Sequence, residues 1–194
     1  ANDRTRNTSG PDMRFPPALA DVMKEHFSLH IAGGAKGPLG PTGTPTAHGV
    51  HIAAKQGARF LWGSDSLEGK TVAVQGLGAV GFHLAEDYIR DGAKLVVCDL
   101  NPSAVRLLKE KHPGASIDVV EPTAILDVDA DIFSPCAVGG ILDAGNIPGL
   151  KFPMVMGPAN NVLKASSQEE EYALADLLAA RGILYQVEWR HNIA

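Results

Sequence analysis

The sequence has little of several features that would place it in common classes of protein. Only 2 of its 194 residues are cysteine, Cys98 and Cys136, and both lie in or beside apolar stretches. Such residues are typical of buried free thiols in a reducing compartment, so neither a disulfide nor a metal pair is expected. Acidic residues (22) outnumber lysine and arginine (17), and no basic patch is interleaved with aromatic residues. We therefore expect no nucleic-acid partner.

Long apolar runs are also missing. No stretch is long enough to cross a bilayer, and the N-terminal letters, ANDRTR, contain no apolar signal segment. We therefore expect no membrane partner and a cytoplasmic location. Because the sequence begins with Ala1 instead of Met, we expect either processing or a start part-way through a gene product.

Composition divides the chain near Thr46. Residues 1–45 are rich in glycine and proline, and only one modest helical pattern interrupts them, at residues 18–27. We predict an irregular N-terminal extension over residues 1–45 that is mostly extended and poorly packed. The regular patterns of residues 46–194 predict a second unit, a folded domain large enough to bury its own core.

Helical and strand patterns alternate along this second unit. The predicted helices cover residues 46–60, 82–91, 102–110 and 166–181. The predicted strands cover residues 71–75, 94–98, 117–120, 132–133, 154–156 and 183–185. The acidic run at residues 169–171 is interpreted as the first turn of a helix and not as a metal site. Alternating strands and helices predict an α/β fold with a doubly wound, Rossmann-type parallel sheet and right-handed crossovers.

A glycine-rich turn carries the strongest functional signal. Gly76, Gly78 and Gly81 form a Gly-x-Gly-x-x-Gly motif between a predicted strand and a predicted helix. The first glycine permits a tight turn, the second lets a pyrophosphate approach the backbone, and the third lets helix pack on strand. Asp99 ends the next strand, where it is spaced to hydrogen-bond an adenosine ribose. The motif predicts dinucleotide binding, and the alternative is a structural turn beside an empty crevice.

The other turns expected at the carboxyl ends of the strands are also polar or rich in glycine. Ligands of open α/β sheets bind at that edge. The turns there are residues 76–81, 99–101, 134–140 and 157–161. Together they suit an extended dinucleotide. Asn160 and Asn161 can recognise a carboxamide or ribose hydroxyls, or can be ordinary turn asparagines.

Four segments resemble the Glu/Leu/Phe/Val dehydrogenase family, and in particular its leucine and phenylalanine branch. They are LEGKTVAVQGLGAVG at 67–81, DIFSPCAVGG at 131–140, GPANNV at 157–162 and ARGILY at 180–185. NTSGPDM at residues 7–13 is similar to a family segment that leads into the cofactor domain. The resemblance implies NAD-dependent oxidative deamination of an apolar L-amino acid, through an imino acid, to a 2-oxo acid and ammonia.

The resemblance also implies roles for individual residues. The glycine turn would hold the pyrophosphate, and Asp99 would hold the adenosine ribose. The backbone of Cys136 and Ala137 would line the cofactor. The asparagine pair and Thr46 would meet the nicotinamide end. The candidate cofactor residues are Thr46, Gly76, Leu77, Gly78, Ala79, Val80, Gly81, Asp99, Leu100, Asn101, Cys136, Ala137, Asn160 and Asn161.

The catalytic part of the family pattern is not matched. Family members carry their catalytic lysines in an N-terminal domain that no segment here resembles. GGAKG at residues 33–37 matches the lysine motif as a string, but it follows residues 7–13, whereas the family's lysine precedes that segment. We therefore interpret Lys36 as part of a connecting loop. Asp3 is the nearest candidate for the catalytic aspartate, although the spacing differs. Asn192 falls where the family has Asn-Ala-Gly-Gly, without the glycines.

The histidines do not supply an obvious replacement for these lysines. His48 lies two residues from Thr46, near the expected nicotinamide site, and the others are expected at the surface or as capping residues. Three interpretations remain. The chain is the cofactor domain of an amino-acid dehydrogenase whose lysine-bearing part is cut away or on another chain. Alternatively, it is a shortened homologue that acts as a non-catalytic NAD-binding module or subunit, or an unrelated reductase. For a dehydrogenase we expect a homo-oligomer or a partner that carries the lysines.

Overall fold

The computed structural model describes residues 17–26, 34–36 and 41–192. The helices are α1 (Pro17–His26), α2 (Gly43–Trp62), α3 (Gly81–Arg90), α4 (Pro102–Lys111) and α5 (Gln168–Ala180). The strands are β1 (Thr71–Gln75), β2 (Lys94–Cys98), β3 (Ile117–Val119), β4 (Ile132–Pro135), β5 (Met154–Val155) and β6 (Leu184–Tyr185). Three short 3-10 helices, Pro122–Asp127, Ile147–Gly149 and Glu188–Arg190, complete the described elements.

All six strands form one parallel sheet in the order β3-β2-β1-β4-β5-β6. The chain moves outward from β1 to β3 and then returns to β4 on the other side of β1. This reversal opens a crevice between the carboxyl ends of β1 and β4, as in other doubly wound sheets. The predicted Rossmann-type α/β fold is therefore confirmed.

The bounds of most elements agree with the sequence patterns. β1 and β2 have the predicted limits, since β-branched residues fill both strands. The largest difference is at α2, which begins at Gly43, ahead of the predicted start at Thr46. Its first turn therefore precedes the expected boundary between residues 45 and 46. Within the N-terminal extension, α1 is a regular helix that lies one residue from its predicted limits.

Apolar side chains fill both faces of the sheet. Val72 and Val74 point to the face covered by α2, α3 and α4, whereas Ala73 points to the opposite face, under α5. The second face has less helical cover, because the described connection from β4 to β5 contains the 3-10 helix Ile147–Gly149 and no α-helix. Phe133 and Phe152 fill this face by stacking with their ring centroids 5.0 Å apart.

Two expectations drawn from sparse features can be compared with the described residues. Cys98 and Cys136 are free, and burial raises the pKa of Cys98 to about 11, so its thiol stays protonated. Burial also raises the pKa of the Cys136 thiol. Among the described helices, none has both the length and the apolar character needed to span a membrane.

A buried polar pair joins α3 to the sheet. The Ser134 hydroxyl donates to the carbonyl oxygen of Met156 at 2.7 Å. Because that donation uses its only proton, the Tyr88 hydroxyl, 3.0 Å away, must donate to Ser134 Oγ. Burial raises the pKa of Tyr88, so this donor remains protonated. The chain of hydrogen bonds satisfies all three groups inside an apolar layer.

Ser134→Ala is expected to lower the free energy of unfolding by about 2 kcal/mol, because Tyr88 and Met156 both lose their partner in the core. Tyr88→Phe should cost about 1 kcal/mol, because Ser134 keeps its bond to Met156. Urea denaturation of both variants and of the double variant measures these costs, and the double variant should cost less than the sum. Equal losses in the two single variants would contradict this assignment of donors.

Candidate cofactor site

Four turns meet at the carboxyl edge of the sheet, as the sequence predicted. Backbone hydrogen bonds connect the turns to the neighbouring strands and to one another. The Gly76 N–H donates to the carbonyl oxygen of Cys98 at 2.8 Å, and the Cys136 N–H donates to the carbonyl oxygen of Gln75 at 2.8 Å. Between the last two turns, the Gly140 N–H donates to the backbone carbonyl oxygen of Asn161 at 2.7 Å. The crevice floor is therefore a continuous backbone network.

Each glycine of the turn has a distinct steric role. Gly76 has φ = 92°, and a Cβ there would lie 2.9 Å from the Cβ of Ala137. A Cβ on Gly81 would overlap the carbonyl oxygen of Gly76. A Cβ on Gly78 would meet no atom within 4 Å. Two of the glycines are therefore required by the fold, and the third leaves open space above the backbone.

The start of α3 leaves its positive end available to an anion. Val80 occupies the N-cap position without a side-chain hydrogen bond, and no acidic residue lies in the first turn. The partial positive charge of a helix N-terminus favours phosphate groups. Gly78 and Ala79 are exposed beside this end, while Leu77 is buried beneath it. The turn therefore fits a pyrophosphate.

Asp99 lies directly beside the glycine turn. One carboxylate oxygen accepts from the Leu77 N–H at 2.5 Å, and the other accepts from the Asn101 N–H at 2.6 Å. The Asn101 side chain in turn caps α4 by accepting from Ser103. Leu100 is almost fully exposed. In the described part of the chain Asp99 forms no ion pair, so its negative charge is not neutralised by a neighbouring cation.

The turn after β5 is held from behind by the C-terminal segment. Asn161 has φ = 52°, a left-handed conformation that asparagine tolerates, and its N–H donates to Glu188 at 3.2 Å. The Asn192 side chain donates to the carbonyl of Pro158 at 2.9 Å. Asn160 and Asn161 are exposed toward solvent, and Cys136 and Ala137 are partly buried.

His191 completes this support and was missed by the sequence reasoning. It is only 4% exposed, and Nε2 lies 3.0 Å from the carbonyl oxygen of Gly157. Burial lowers its pKa, which favours the neutral ring with Nε2–H as the donor. His51, on α2, is 8% exposed. The expected surface position is therefore wrong for both histidines, and their sequence neighbours gave no signal of burial.

The start of α2 packs against the glycine turn, because a Cβ on Gly43 would overlap the carbonyl oxygen of Ala79. Thr46 is buried in the first turn of this helix, three residues after Gly43. His48 is exposed, and its ring lies near His51 and Asp87. Asp3 lies outside the described residues, as does the segment at residues 7–13.

Lys36 is described and forms no ion pair with another described residue. Its side chain is exposed, and its backbone N–H lies 3.3 Å from a carboxylate oxygen of Asp21 on α1. The Ala35 N–H donates to the same oxygen at 3.0 Å. Asp21 therefore anchors the backbone of this loop against α1.

The strand order, the glycine turn and Asp99 together define a Rossmann-type dinucleotide-binding fold. No protein-family model matches the chain. It is 43% identical over 158 residues to phenylalanine dehydrogenase from Lysinibacillus sphaericus, covering 80% of this chain and 40% of that protein. It is 40% identical over 177 residues to leucine dehydrogenase from Geobacillus stearothermophilus, covering 90% and 46%.

Solved structures agree with these sequence matches. L-tryptophan dehydrogenase from Nostoc punctiforme superposes with a TM-score of 0.76 at 33% identity, over 95% of this chain and 50% of that one. A hetero-hexameric glutamate dehydrogenase from Thermus thermophilus has the same fold, with a TM-score of 0.69 at 22% identity, over 93% and 46%. The chain spans about half the length of the relatives it matches.

The chain is thus a relative of the amino-acid dehydrogenases over the part of their length that it spans, and the predicted resemblance is confirmed. These relatives and the fold imply a nicotinamide dinucleotide cofactor. The glycine turn fits such a cofactor, because the space above Gly78 is free and the end of α3 is uncapped.

Gly78→Ala is expected to separate binding from folding. Its methyl group enters open space, so the free energy of unfolding should change by less than about 0.5 kcal/mol, while the dinucleotide binds about tenfold more weakly. Gly81→Ala should instead lower stability by about 1–3 kcal/mol through overpacking. Calorimetric titration and urea denaturation measure the two quantities.

Gly114→Ala is the matched control, because a Cβ there also meets no atom within 4 Å but lies outside the crevice turns. It should affect neither binding nor stability. If Gly78→Ala bound the dinucleotide as tightly as Gly114→Ala, the pyrophosphate would not approach the backbone at Gly78.

Proposed function

We propose that this chain is the cofactor-binding part of an NAD-dependent amino-acid dehydrogenase. The observation that carries the proposal is the free space at Gly78, bordered by the uncapped end of α3 and by the Asp99 carboxylate. This arrangement lies where the strand order reverses, in a chain related to amino-acid dehydrogenases.

In this proposal the residues of the crevice contact the cofactor in four regions. Backbone N–H groups of residues 76–81 bind the pyrophosphate, and Asp99 with Leu100 and Asn101 borders the adenosine ribose. Cys136 and Ala137 line the middle through their backbone. Asn160, Asn161 and Thr46 orient the nicotinamide. A nicotinamide ring held there would supply the hydride acceptor for oxidation at the α-carbon of the amino acid, and these residues would fix the position of the ring.

The proposed reaction converts an apolar L-amino acid of the leucine or phenylalanine type to its 2-oxo acid. It needs a base and a cation to handle the ammonium proton and the charge at the carboxylate. Lys36 and Asp3 are the candidates this chain offers, and the exposure of Lys36 does not favour it as a buried catalytic group. We therefore propose that a second, lysine-bearing domain supplies the catalysis, in a cytoplasmic homo-oligomer or from a partner chain.

The second candidate is a shortened homologue that binds NAD without turnover. The observation that favours it is the exposure of Lys36, because the lysine of the GGAKG string is then not enclosed in a catalytic site. The two candidates share the cofactor site and differ only in whether a lysine-bearing domain acts with it.

Asp99 is also the basis for proposing NAD over NADP. The extra 2′-phosphate of NADP would be placed near a carboxylate that has no ion pair among the described residues. Arg106 is exposed on α4 and donates to Ser103 Oγ at 2.9 Å. We therefore expect Arg106 to offset this repulsion only partly. Repulsion between the 2′-phosphate and the Asp99 carboxylate should therefore disfavour NADP.

Asp99→Asn tests this charge effect with a side chain of almost the same shape. The unaltered protein is expected to bind NAD at least about tenfold more tightly than NADP, and the variant should lose most of that preference. Asp99→Ala should in addition weaken NAD binding far more than NADP binding, because the ribose loses its acceptor. Calorimetry measures the six affinities of the three proteins for NAD and NADP, and tighter NADP binding by the unaltered protein would contradict the proposal.

The activity of the chain by itself is the last expectation here. It should bind NAD yet reduce none of it with leucine or phenylalanine, because orientation and proton transfer both require the second wall of the cleft. Absorbance of the reduced nicotinamide measures turnover. Reduction should appear when a lysine-bearing domain is supplied.

Robust turnover by the 194 residues alone would overturn this division of labour. Lys36→Ala would then identify the source, since its loss of activity would make the loop at residues 33–37 the catalytic one. If supplying a lysine-bearing domain restored no turnover although NAD still bound, the non-catalytic module would be the better description.

A further inference from the structure

A cluster of potential metal ligands lies between α2 and α3. His48 and His51 are one turn apart on α2, so they share a face of that helix. Asp87 reaches them from α3. One ligand atom from each of the three lies within 4.8 Å of the others. The sequence predicted no metal site, because Asp87 belongs to a different helix and nothing in its neighbours indicates this contact.

The second contacts of these side chains leave ligand atoms available. His51 Nε2 lies 2.8 Å from a carboxylate oxygen of Asp91, so with the ring proton on Nε2 its Nδ1 carries the lone pair that a metal ion needs. The edge-on contact with Tyr88 also fixes this ring, with centroids 5.9 Å apart. Asp87 accepts from Arg90 at 2.6 Å through Oδ1, which leaves Oδ2.

We propose that His48, His51 and Asp87 form a binding site for a divalent transition metal ion of the Zn²⁺ type. Two imidazole nitrogens and one carboxylate oxygen are a ligand set that zinc accepts, with a fourth position open to water. Asp91 is a positioning residue, because a carboxylate on the second nitrogen of a metal-binding histidine orients the ring and raises its basicity.

Binding of a tetrahedral ion would require the three ligand atoms to move closer together. Zinc–ligand bonds of about 2.0–2.1 Å put tetrahedral ligand atoms about 3.3 Å apart, which is closer than the present limit. His51 and Asp87 are buried and fixed, whereas His48 is exposed and can change its rotamer. Of the three ligands, the exposed His48 side chain has the most room to move toward a bound ion.

The carboxylates of the cluster already have partners within the chain. Asp91 receives a hydrogen bond from Lys55 at 3.0 Å, and Asp87 is paired with Arg90, so both carboxylates are satisfied without a metal. The fold therefore does not depend on the ion. A bound ion would instead connect α2 to α3, whose first turns both lie at the glycine turn.

The test uses the untagged chain, titrated calorimetrically with Zn²⁺ alone and spectroscopically with Co²⁺. The unaltered protein is expected to bind one ion, with a rise in melting temperature and visible Co²⁺ absorption bands of a low-symmetry nitrogen and oxygen site. His48→Ala should weaken Zn²⁺ binding at least about tenfold, and Asp91→Asn should weaken it by about tenfold. His48 is exposed, so its replacement should leave the fold intact.

His83→Ala is the matched control. His83 lies on α3 and contacts Glu86 at 3.3 Å, outside the proposed ligand set. Its replacement should leave Zn²⁺ affinity unchanged. The proposal is overturned if the unaltered chain binds no stoichiometric Zn²⁺, if His48→Ala binds it equally well, or if His83→Ala loses as much affinity as His48→Ala.

Discussion

The closeness of Gly81 to the carbonyl oxygen of Gly76 is the constraint on which the rest of the crevice depends. A side chain at Gly81 would also come within 2.8 Å of the Cβ of Cys136, so α3, the glycine turn and the end of β4 meet at one point. Because α3 starts there, the Tyr88 hydroxyl lies 3.0 Å from Ser134 Oγ, and the Tyr88 ring contacts His51 of α2. The absence of a side chain at Gly81 thus allows α3, the glycine turn and the end of β4 to pack closely together.

The two ends of the crevice are built differently. Residues 76–101 form the end proposed for the adenosine from one continuous βαβ unit, so its contacts are local in the sequence. The opposite end collects residues from the start of α2, the turn after β4, the turn after β5 and the C-terminal segment. Backbone carbonyls of Gly157 and Pro158, held by His191 and Asn192, fix the last of these turns.

This difference explains what the sequence could predict. The strands and the glycine turn follow from β-branched runs and from glycines whose spacing has one steric meaning, so β1, β2 and the role of Gly81 were foreseen. The early start of α2 was not, because Gly43 is a weak helix former that is placed there by its contact with Ala79. The burial of His51 and His191 depends on partners in distant segments, Asp91 and Gly157, and no local pattern records such contacts.

Both edges of the sheet are very short. β3 contributes three residues at one edge and β6 two at the other, so each offers few unpaired backbone groups. An incoming strand would therefore gain only a few hydrogen bonds, which protects the fold against edge-to-edge aggregation. Copies of this chain that associate would therefore gain little from pairing these two edge strands, and side chains of helices and turns would have to supply the contacts.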